Sequence, residues 1–513
     1  MKIDLNARTK NTARNTAVGM VSQLVQVASS FLCRMVFVRT LATAYLGVNG
    51  LFANVLSILS LGELGIGSAI TYELYKALAY DNKEEVKSLM AFYRKAYLLI
   101  GLIIGAVGLL LMPMIPSLVP ADPMITEDIR VLYLFFLANT VISYFFSYRT
   151  SIIEAAQQDY VLTLIHTAVT IAQNLIQIVI LLTTKNFLLY LGVQVTATFL
   201  YYLFSSVIAG KMFPIIEEGN VQPLQEEQKK RMFVNTKDLF ITSVSGRLVN
   251  QTDNIIITAL GGLVSTGLNS NYSLMSMTLI SITAKVNNAI RASIGNVNAV
   301  ESDEKKLELF DEIHFFFFWF YAWCACCFIM LVQDVILYVF GRNYLMAFSI
   351  ALITGINFYT TEESRVVSIF KDTLGLFRYG KYMALVTGII NIILSVWLGK
   401  LYGVFGILLA SFISRILTER WYYPYVTFKY GIHASFGHFL SRDMLYWLEF
   451  AGITGIAWYL CSFTPASSLI GFILRILISV TIPNIVVVLV HHRDINFKRL
   501  INRMKRILKK QPA

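Results

Sequence analysis

The chain has 513 residues, of which 56% are hydrophobic and only 14% are charged, and its mean hydropathy is +0.62. Soluble domains carry about 25% charged residues, so this composition excludes a soluble globular protein and indicates a membrane protein. The net charge is +12 and the pI is about 9.3. Because the basic residues lie between apolar segments, the charge indicates membrane topology rather than a nucleic-acid-binding surface.

The five cysteines all fall within apolar segments: Cys33, Cys324, Cys326, Cys327 and Cys461. This placement implies no disulfide framework, and the cluster from Cys324 to Cys327 lacks a partnering His or Cys pair for zinc. We therefore expect the cysteines to pack within the membrane, and we expect no metal or cofactor.

A helix that crosses a bilayer needs about 20 mainly apolar residues, and fourteen such segments follow one another in the chain. The first six are residues 15–41, 46–78, 93–112, 129–149, 160–183 and 187–210. The next six are residues 238–260, 268–295, 312–333, 345–370, 380–399 and 403–425, and a final pair covers 445–463 and 468–490.

The order of these segments predicts an all-α, polytopic membrane protein with about 14 transmembrane helices in two pseudo-symmetric six-helix bundles plus a C-terminal helix pair. The predicted parts are an N-terminal bundle 1–213, a cytoplasmic linker 214–237, a second bundle 238–430, the helix pair 440–490 and a basic tail 491–513. Each bundle has an even number of spans, which would relate the bundles by an axis along the membrane normal. A faint repeat agrees, since Leu46–Phe52 aligns with Thr266–Tyr272 at an offset of 220 residues with Gly and Asn matched.

The basic residues also predict the orientation of the chain in the membrane. Lys and Arg in the loops on one side outnumber those on the other about tenfold, and the poorer side holds Lys185, Arg342 and Lys400. Both termini are therefore predicted to be cytoplasmic. The outer loops are short, which argues against glycosyltransferases and polymerases that hold sugar in large outer loops. His166 is the one plausible intramembrane histidine for an acyltransferase, and a helix-contact role is the simpler explanation for it.

Polar side chains align along four of the predicted spans. Span 1 carries Thr16, Gly19, Gln23, Gln26, Ser30 and Arg34 on one face; span 7 carries Ser243, Arg247, Asn250, Gln251, Asn254 and Thr258, with Asp253 beside them; span 8 carries Thr278, Ser281, Lys285, Asn288 and Asn296; span 2 carries Glu63. A charge at the bilayer centre costs about 2.5 to 3.5 kcal/mol, so these residues are expected to face protein or a wet cavity.

Two interpretations of this polar seam remain open. The polar residues could join helices, with Arg34 or Lys285 paired to Glu63 or Asp253. Alternatively they line a cavity for an anionic cargo, because three cations, including Arg247, outnumber two acids. We predict the cavity, with Arg34, Arg247, Lys285, Gln23, Gln26, Asn250, Gln251, Asn254 and Asn288 as substrate-binding residues and with Glu63, Asp253 and Arg291 as gating or ion-pair residues.

Two features lie near the C-terminus. Arg475 sits near the middle of span 14, where it either pairs with another span or faces a groove. From Asp494 to Lys510, apolar residues gather on one helix face and basic residues cover the rest, which predicts a helix on the anionic inner leaflet.

The segment Tyr45–Phe52, which leads into Leu61–Ile70 and Leu74–Lys76, resembles the Wzx-like oligosaccharide flippases of the polysaccharide transporter family in the MOP (multidrug/oligosaccharidyl-lipid/polysaccharide) exporter superfamily. Supporting matches are Asp253–Ile257 and Asn391–Ser395, and the resemblance covers most of the chain. It implies two bundles that open alternately to each side of a bacterial cytoplasmic membrane.

The cargo that this resemblance implies is an undecaprenyl-diphosphate-linked oligosaccharide, flipped to the outer leaflet for capsule, O-antigen or exopolysaccharide biosynthesis. A monomer is expected, with a polysaccharide polymerase or assembly complex as a partner. The main competitor is a MATE-type drug or cation antiporter, for which a more acidic cavity is expected. A polytopic glycan-modifying enzyme is a second alternative, weakened by the short outer loops.

Overall fold

The computed structural model describes the backbone of residues 5–60, 66–119, 123–217, 222–224, 226–376, 379–465 and 468–508. Side chains are described for most of these residues, but not for 5–10, 226–250 or single positions such as 285. Within these ranges the regular secondary structure is helical throughout. The chain divides into two compact units, Met1–Gly267 and Leu268–Ala513.

The described residues of the first unit form nine α-helices and the beginning of a tenth. They are α1 (Leu5–Thr40), α2 (Thr43–Leu59), α3 (Ile66–Ala79), α4 (Lys83–Leu111), α5 (Ile115–Leu118), α6 (Ile129–Phe146), α7 (Thr150–Ala155), α8 (Asp159–Thr183), α9 (Phe187–Met212) and the start of α10 (Glu226–Val300). α1 packs on α8, α8 on α9, α9 on α6, and α6 on α4.

The second unit begins within α10 and contains eight more helices in its described part. They are α11 (Asp303–Val339), α12 (Phe348–Glu363), α13 (Arg365–Thr373), α14 (Lys381–Leu417), α15 (Glu419–Thr427), α16 (Phe436–Ser462), α17 (Leu469–His491) and α18 (Ile495–Leu508). α11 is central, since it packs against α12, α16, α17 and α18. In the most apolar 18-residue segment of α11, 61% of the residues are buried. The corresponding segments of α16 and α17 are 33% and 17% buried.

The helices confirm the predicted polytopic, all-α fold. Nine described helical stretches are long and apolar enough to cross a membrane, and one of them, Tyr382–Ile432, is 51 residues long and holds two predicted spans. Kinks divide the merged helices at Gly262 (φ +77°) in α10 and at Gly403 (φ +59°) in α14. Glycine suits both kinks because other residues are strained at positive φ. The boundaries predicted between the bundles stay predictions.

Several helices begin at short polar caps in the loops. Asn82 accepts a hydrogen bond from the backbone N–H of Glu85, and its amide donates to the Glu85 carboxylate at 2.9 Å, which together cap α4. Asn186 and Ser468 accept from the third residues of α9 and α17, at 3.0 Å in both cases. These bonds satisfy N–H groups that the helix itself leaves free, so short loops suffice to start each helix.

A close helix crossing in the first unit uses glycine on both helices. A Cβ added to Gly47 in α2 would lie 2.0 Å from the carbonyl oxygen of Leu263, and one added to Gly267 would lie 2.4 Å from that of Thr43. The two contacts are related by the offset of 220 residues found in the sequence, which pairs Thr43 with Leu263 and Gly47 with Gly267. The weak sequence repeat therefore coincides with a reciprocal contact in which each glycine faces the backbone of the other helix.

The tail helix α18 packs against the start of α11. Arg499 pairs with Glu308 at 3.1 Å and Arg503 pairs with Glu312 at 2.9 Å. The ring of Phe497 lies 5.8 Å from that of Trp319. The predicted amphipathic helix is present, and its position on the inner leaflet stays a prediction.

We predict that Gly47→Val destabilises the folded protein, because the added side chain would overlap the Leu263 carbonyl. Overpacking of this kind costs about 1 to 3 kcal/mol. The measurement is the thermal unfolding midpoint of detergent-purified protein. Gly192→Ala is the control, since its Cβ would meet nothing closer than 3.9 Å. Equal midpoints for the two variants would contradict the close crossing.

Candidate functional site

Two residues on the predicted polar face of α1 form hydrogen bonds to α8 in the structure. Gln26 donates to the hydroxyl of Thr167 in α8 at 2.7 Å, and Asn174 of α8 donates to the Ser30 hydroxyl at 3.3 Å. These two residues of α1 therefore join helices. Gln23 and Arg34 are half-buried in the same helix.

The rest of the predicted seam is described only in part. Glu63 and the side chains of Arg247, Asn250 and Lys285 lie outside the described residues. Gln251, Asp253 and Asn254 are half-buried in α10. The convergence of Arg34, Arg247 and Lys285 on one cavity therefore stays a prediction.

Two predicted residues, Asn288 and Arg291, line a pocket in the second unit. This arginine pocket has a volume of about 250 Å³ and is formed by α10, α12, α13, α14 and α15. Its wall includes Asn288, Ser364, Arg291, Arg365, Arg415 and Arg420. Four guanidinium groups and one carboxylate, that of Glu419, are among the side chains that line it.

The guanidinium groups of the pocket are held by partners. Arg365 binds the buried carboxylate of Glu362 through two bonds of 2.6 and 2.8 Å, and Arg291 lies 3.3 Å from Asp372. Arg415 donates to the hydroxyl of Thr361. Paired guanidinium groups keep several N–H donors for a further acceptor and lose little entropy on binding it, so the pocket is preorganised for a planar or tetrahedral anion.

Arg420 also belongs to a buried ionic cluster of four residues from four helices. It donates to Glu363 of α12 and to Asp443 of α16, and His314 of α11 lies 2.8 Å from Glu363 and 3.6 Å from Asp443. Each of the four side chains retains 9% or less of its exposure. This cluster, called the ionic quartet below, joins the pocket wall to the interior of the second unit.

The quartet has the donor atoms of a metal site but holds its own cation. The ligand atoms of His314, Glu363 and Asp443 lie within 4.8 Å of one another. Arg420 donates to both carboxylates and supplies positive charge between them. The arrangement therefore functions as an ion-pair network without needing a metal.

Arg475, which the sequence left unassigned, pairs with a buried acid. It donates to both carboxylate oxygens of Asp334 in α11, at 2.6 and 2.7 Å, and to the hydroxyl of Thr464. The pair joins α17 to α11. Of the two alternatives predicted for Arg475, the structure shows the pairing with another span.

We predict that Arg420→Gln destabilises the second unit by about 3 to 5 kcal/mol, because it leaves Glu363 and Asp443 buried without their cation. Thermal unfolding of the purified protein measures the loss. The control is Lys305→Gln, which removes an exposed pair with Glu301 and should leave the unfolding midpoint close to that of the wild type, because water screens exposed ion pairs. A small effect of Arg420→Gln would show that water reaches the quartet.

Comparisons with solved structures identify the fold. The lipid II flippase MurJ in an inward closed conformation superposes with a TM-score of 0.67 at 12% identity, over 93% of this chain and 98% of MurJ. An inward-facing multidrug resistance MATE family transporter of the MOP superfamily gives 0.59 at 15% identity, over 79% and 96% of the two chains. The protein shares the fold of these two transporters.

A further match is a MOP superfamily transporter from Pyrococcus furiosus, with a TM-score of 0.51 at 16% identity over 80% of this chain and 94% of that one. That transporter is described as having a binding pocket of reverse polarity, which suggests a different function for it. No protein-family model and no curated protein matches this chain. At these identities the likeness shows the fold alone.

Proposed function

We propose that this protein is a Wzx-like flippase that moves undecaprenyl-diphosphate-linked oligosaccharide units from the inner to the outer leaflet of a bacterial cytoplasmic membrane by alternating access. The exported units would serve capsule, O-antigen or exopolysaccharide biosynthesis. Both termini would be cytoplasmic, and a polysaccharide polymerase or assembly complex would take up the product.

The arginine pocket carries this proposal. A diphosphate has several oxygen acceptors and multiple negative charges, and guanidinium groups match that geometry with paired N–H donors. Arg291, Arg365, Arg415 and Arg420 present four such groups in one pocket of a chain that has the fold of a lipid II flippase. Hydroxyl and amide groups beside them, from Ser364 and Asn288, can donate further hydrogen bonds to the phosphate oxygens.

Charge also supplies a driving force for the conformational cycle. The pocket arginines already bind acids of the protein, and a bound diphosphate would compete with those acids for the same guanidinium groups. Binding of the cargo would therefore favour a conformation in which these ion pairs rearrange. Arg34, Arg247 and Lys285 of the predicted seam would serve the same cargo by the same principle.

A MATE-type cation antiporter is the alternative, because MATE transporters share the fold. A cationic drug needs acidic or aromatic partners, whereas the acids Glu362, Glu363 and Asp372 beside the arginine pocket are already bound to its arginines. Binding of a lipid-linked glycan and of a cationic dye to the purified protein distinguishes these two functions.

We predict that Arg291→Gln and Arg415→Gln each weaken binding of the lipid-linked glycan by about one to two orders of magnitude, since a charge-assisted hydrogen bond contributes about 1.5 to 3 kcal/mol. Arg415→Lys should weaken binding less than Arg415→Gln, because lysine keeps the positive charge. It should still weaken binding, because lysine lacks the planar guanidinium group. The measurements are binding to purified protein and surface polysaccharide in cells with matched expression.

Arg342→Gln is the control for these variants, because Arg342 is an exposed arginine that does not line the pocket. The same test applies to the seam variants Arg34→Gln, Arg247→Gln and Lys285→Gln, with neutralised Glu63 and Asp253 as controls of opposite sign. Normal binding and export by all of the arginine variants would refute the proposed function.

A further inference from the structure

A polar cavity lies in the first unit, separate in sequence from the arginine pocket. It has a volume of about 410 Å³ and lies between α6, α8 and α9 near the end of α2. Its lining includes Asn139, Thr140, Ser143, His166, Tyr201 and Tyr202. This volume is within the range of about 300 to 1,000 Å³ that is typical of small-molecule sites.

The cavity presents hydrogen-bonding groups and almost no charge. Asn139 has a buried amide oxygen with no hydrogen-bond partner. Thr140 and Ser143 donate to the backbone at 3.0 and 2.7 Å, so their hydroxyl oxygens remain available as acceptors. Among the side chains that line the cavity, the imidazole of His166 is the one group that can become charged near neutral pH. A neutral ligand rich in hydroxyl groups matches this lining.

Aromatic rings form part of the same wall. The His166 ring meets the Tyr201 ring edge to face at 5.1 Å, and the Tyr201 and Tyr202 rings meet at 4.9 Å. All three side chains retain solvent exposure, so the rings remain accessible to a ligand. A sugar ring has apolar C–H groups on its faces and hydroxyls at its edge, and it can pack on aromatic rings while bonding to amides and hydroxyls.

The same helix pair also forms an apolar groove beside the cavity. Residues including Ile176 of α8 and Leu200 and Phe204 of α9 line this groove, and all three are exposed. The groove and the cavity share lining residues on both helices, so they adjoin each other. Polar residues in membrane helices are expected to face protein or a wet cavity, and those named above line a cavity.

We infer that this cavity is a carbohydrate subsite that binds neutral sugar residues of the cargo. The inference rests on the proposed function and adds a second recognition element to it: arginines bind the diphosphate, and the α6–α8–α9 cavity binds the glycan. The cavity then favours glycosylated carrier lipid over the bare diphosphate lipid.

The test compares binding of two probes to the full-length protein in nanodiscs: undecaprenyl diphosphate, and the same lipid bearing one N-acetylhexosamine. We expect the wild type to bind the glycosylated lipid about tenfold more tightly than the bare lipid, because two or three additional hydrogen bonds supply that difference in affinity. The double variant Tyr201→Ala, Tyr202→Ala should lose this preference while binding the bare lipid as the wild type does. Asn139→Leu, a smaller change, should reduce the preference severalfold.

Phe204→Ala is the matched control, because Phe204 is an aromatic residue of α9 that lines the apolar groove and does not line the cavity. It should keep the tenfold preference. Equal binding of both probes by the wild type, or equal loss for both probes in the cavity variants, would overturn the carbohydrate subsite and leave the proposed function standing. Failure of the wild type to bind either probe would overturn both.

Discussion

The ionic quartet is the constraint on which the second unit depends. Placing four ionisable side chains from α11, α12, α15 and α16 in a dry interior is costly unless each charge meets its opposite. Arg420 meets this requirement by donating to both Glu363 and Asp443, and His314 lies against the same two acids. The bonds require these four helices to come together, so they specify one packing arrangement. Because Arg420 also lines the arginine pocket, that arrangement fixes one wall of the pocket.

Apolar length alone was sufficient to predict a polytopic helical protein, and nine long apolar stretches are present in the described part of the chain. The sequence was insufficient for the quartet. Glu363 and Arg420 lie near the ends of predicted spans, where charged residues ordinarily anchor helices at the membrane surface. Pairing between residues 314, 363, 420 and 443 depends on the tertiary fold. The same limit applied to Gln26. Its position on the polar face of α1 did not indicate whether it lines a cavity or bonds to another helix, as it does to Thr167.

The repeat offset illustrates how a weak sequence signal can have a strong structural cause. Two matched residues in seven gave little evidence of duplication. The structure shows that one of them is glycine because the backbones of α2 and α10 approach too closely for a side chain at Gly47 or Gly267. Close packing therefore explains the glycines, whereas the neighbouring positions are free to differ.

The two units offer different chemistry to a ligand. The described pocket of the second unit has guanidinium groups, and the cavity of the first has amides, hydroxyls and aromatic rings. The proposed cargo, a lipid-linked oligosaccharide, has an anionic part and a neutral, hydroxyl-rich part, and these correspond to the two kinds of lining. Recognition by two unlike sites would also exclude ligands that have only one of the two parts, since each missing part leaves polar groups of the protein without a partner.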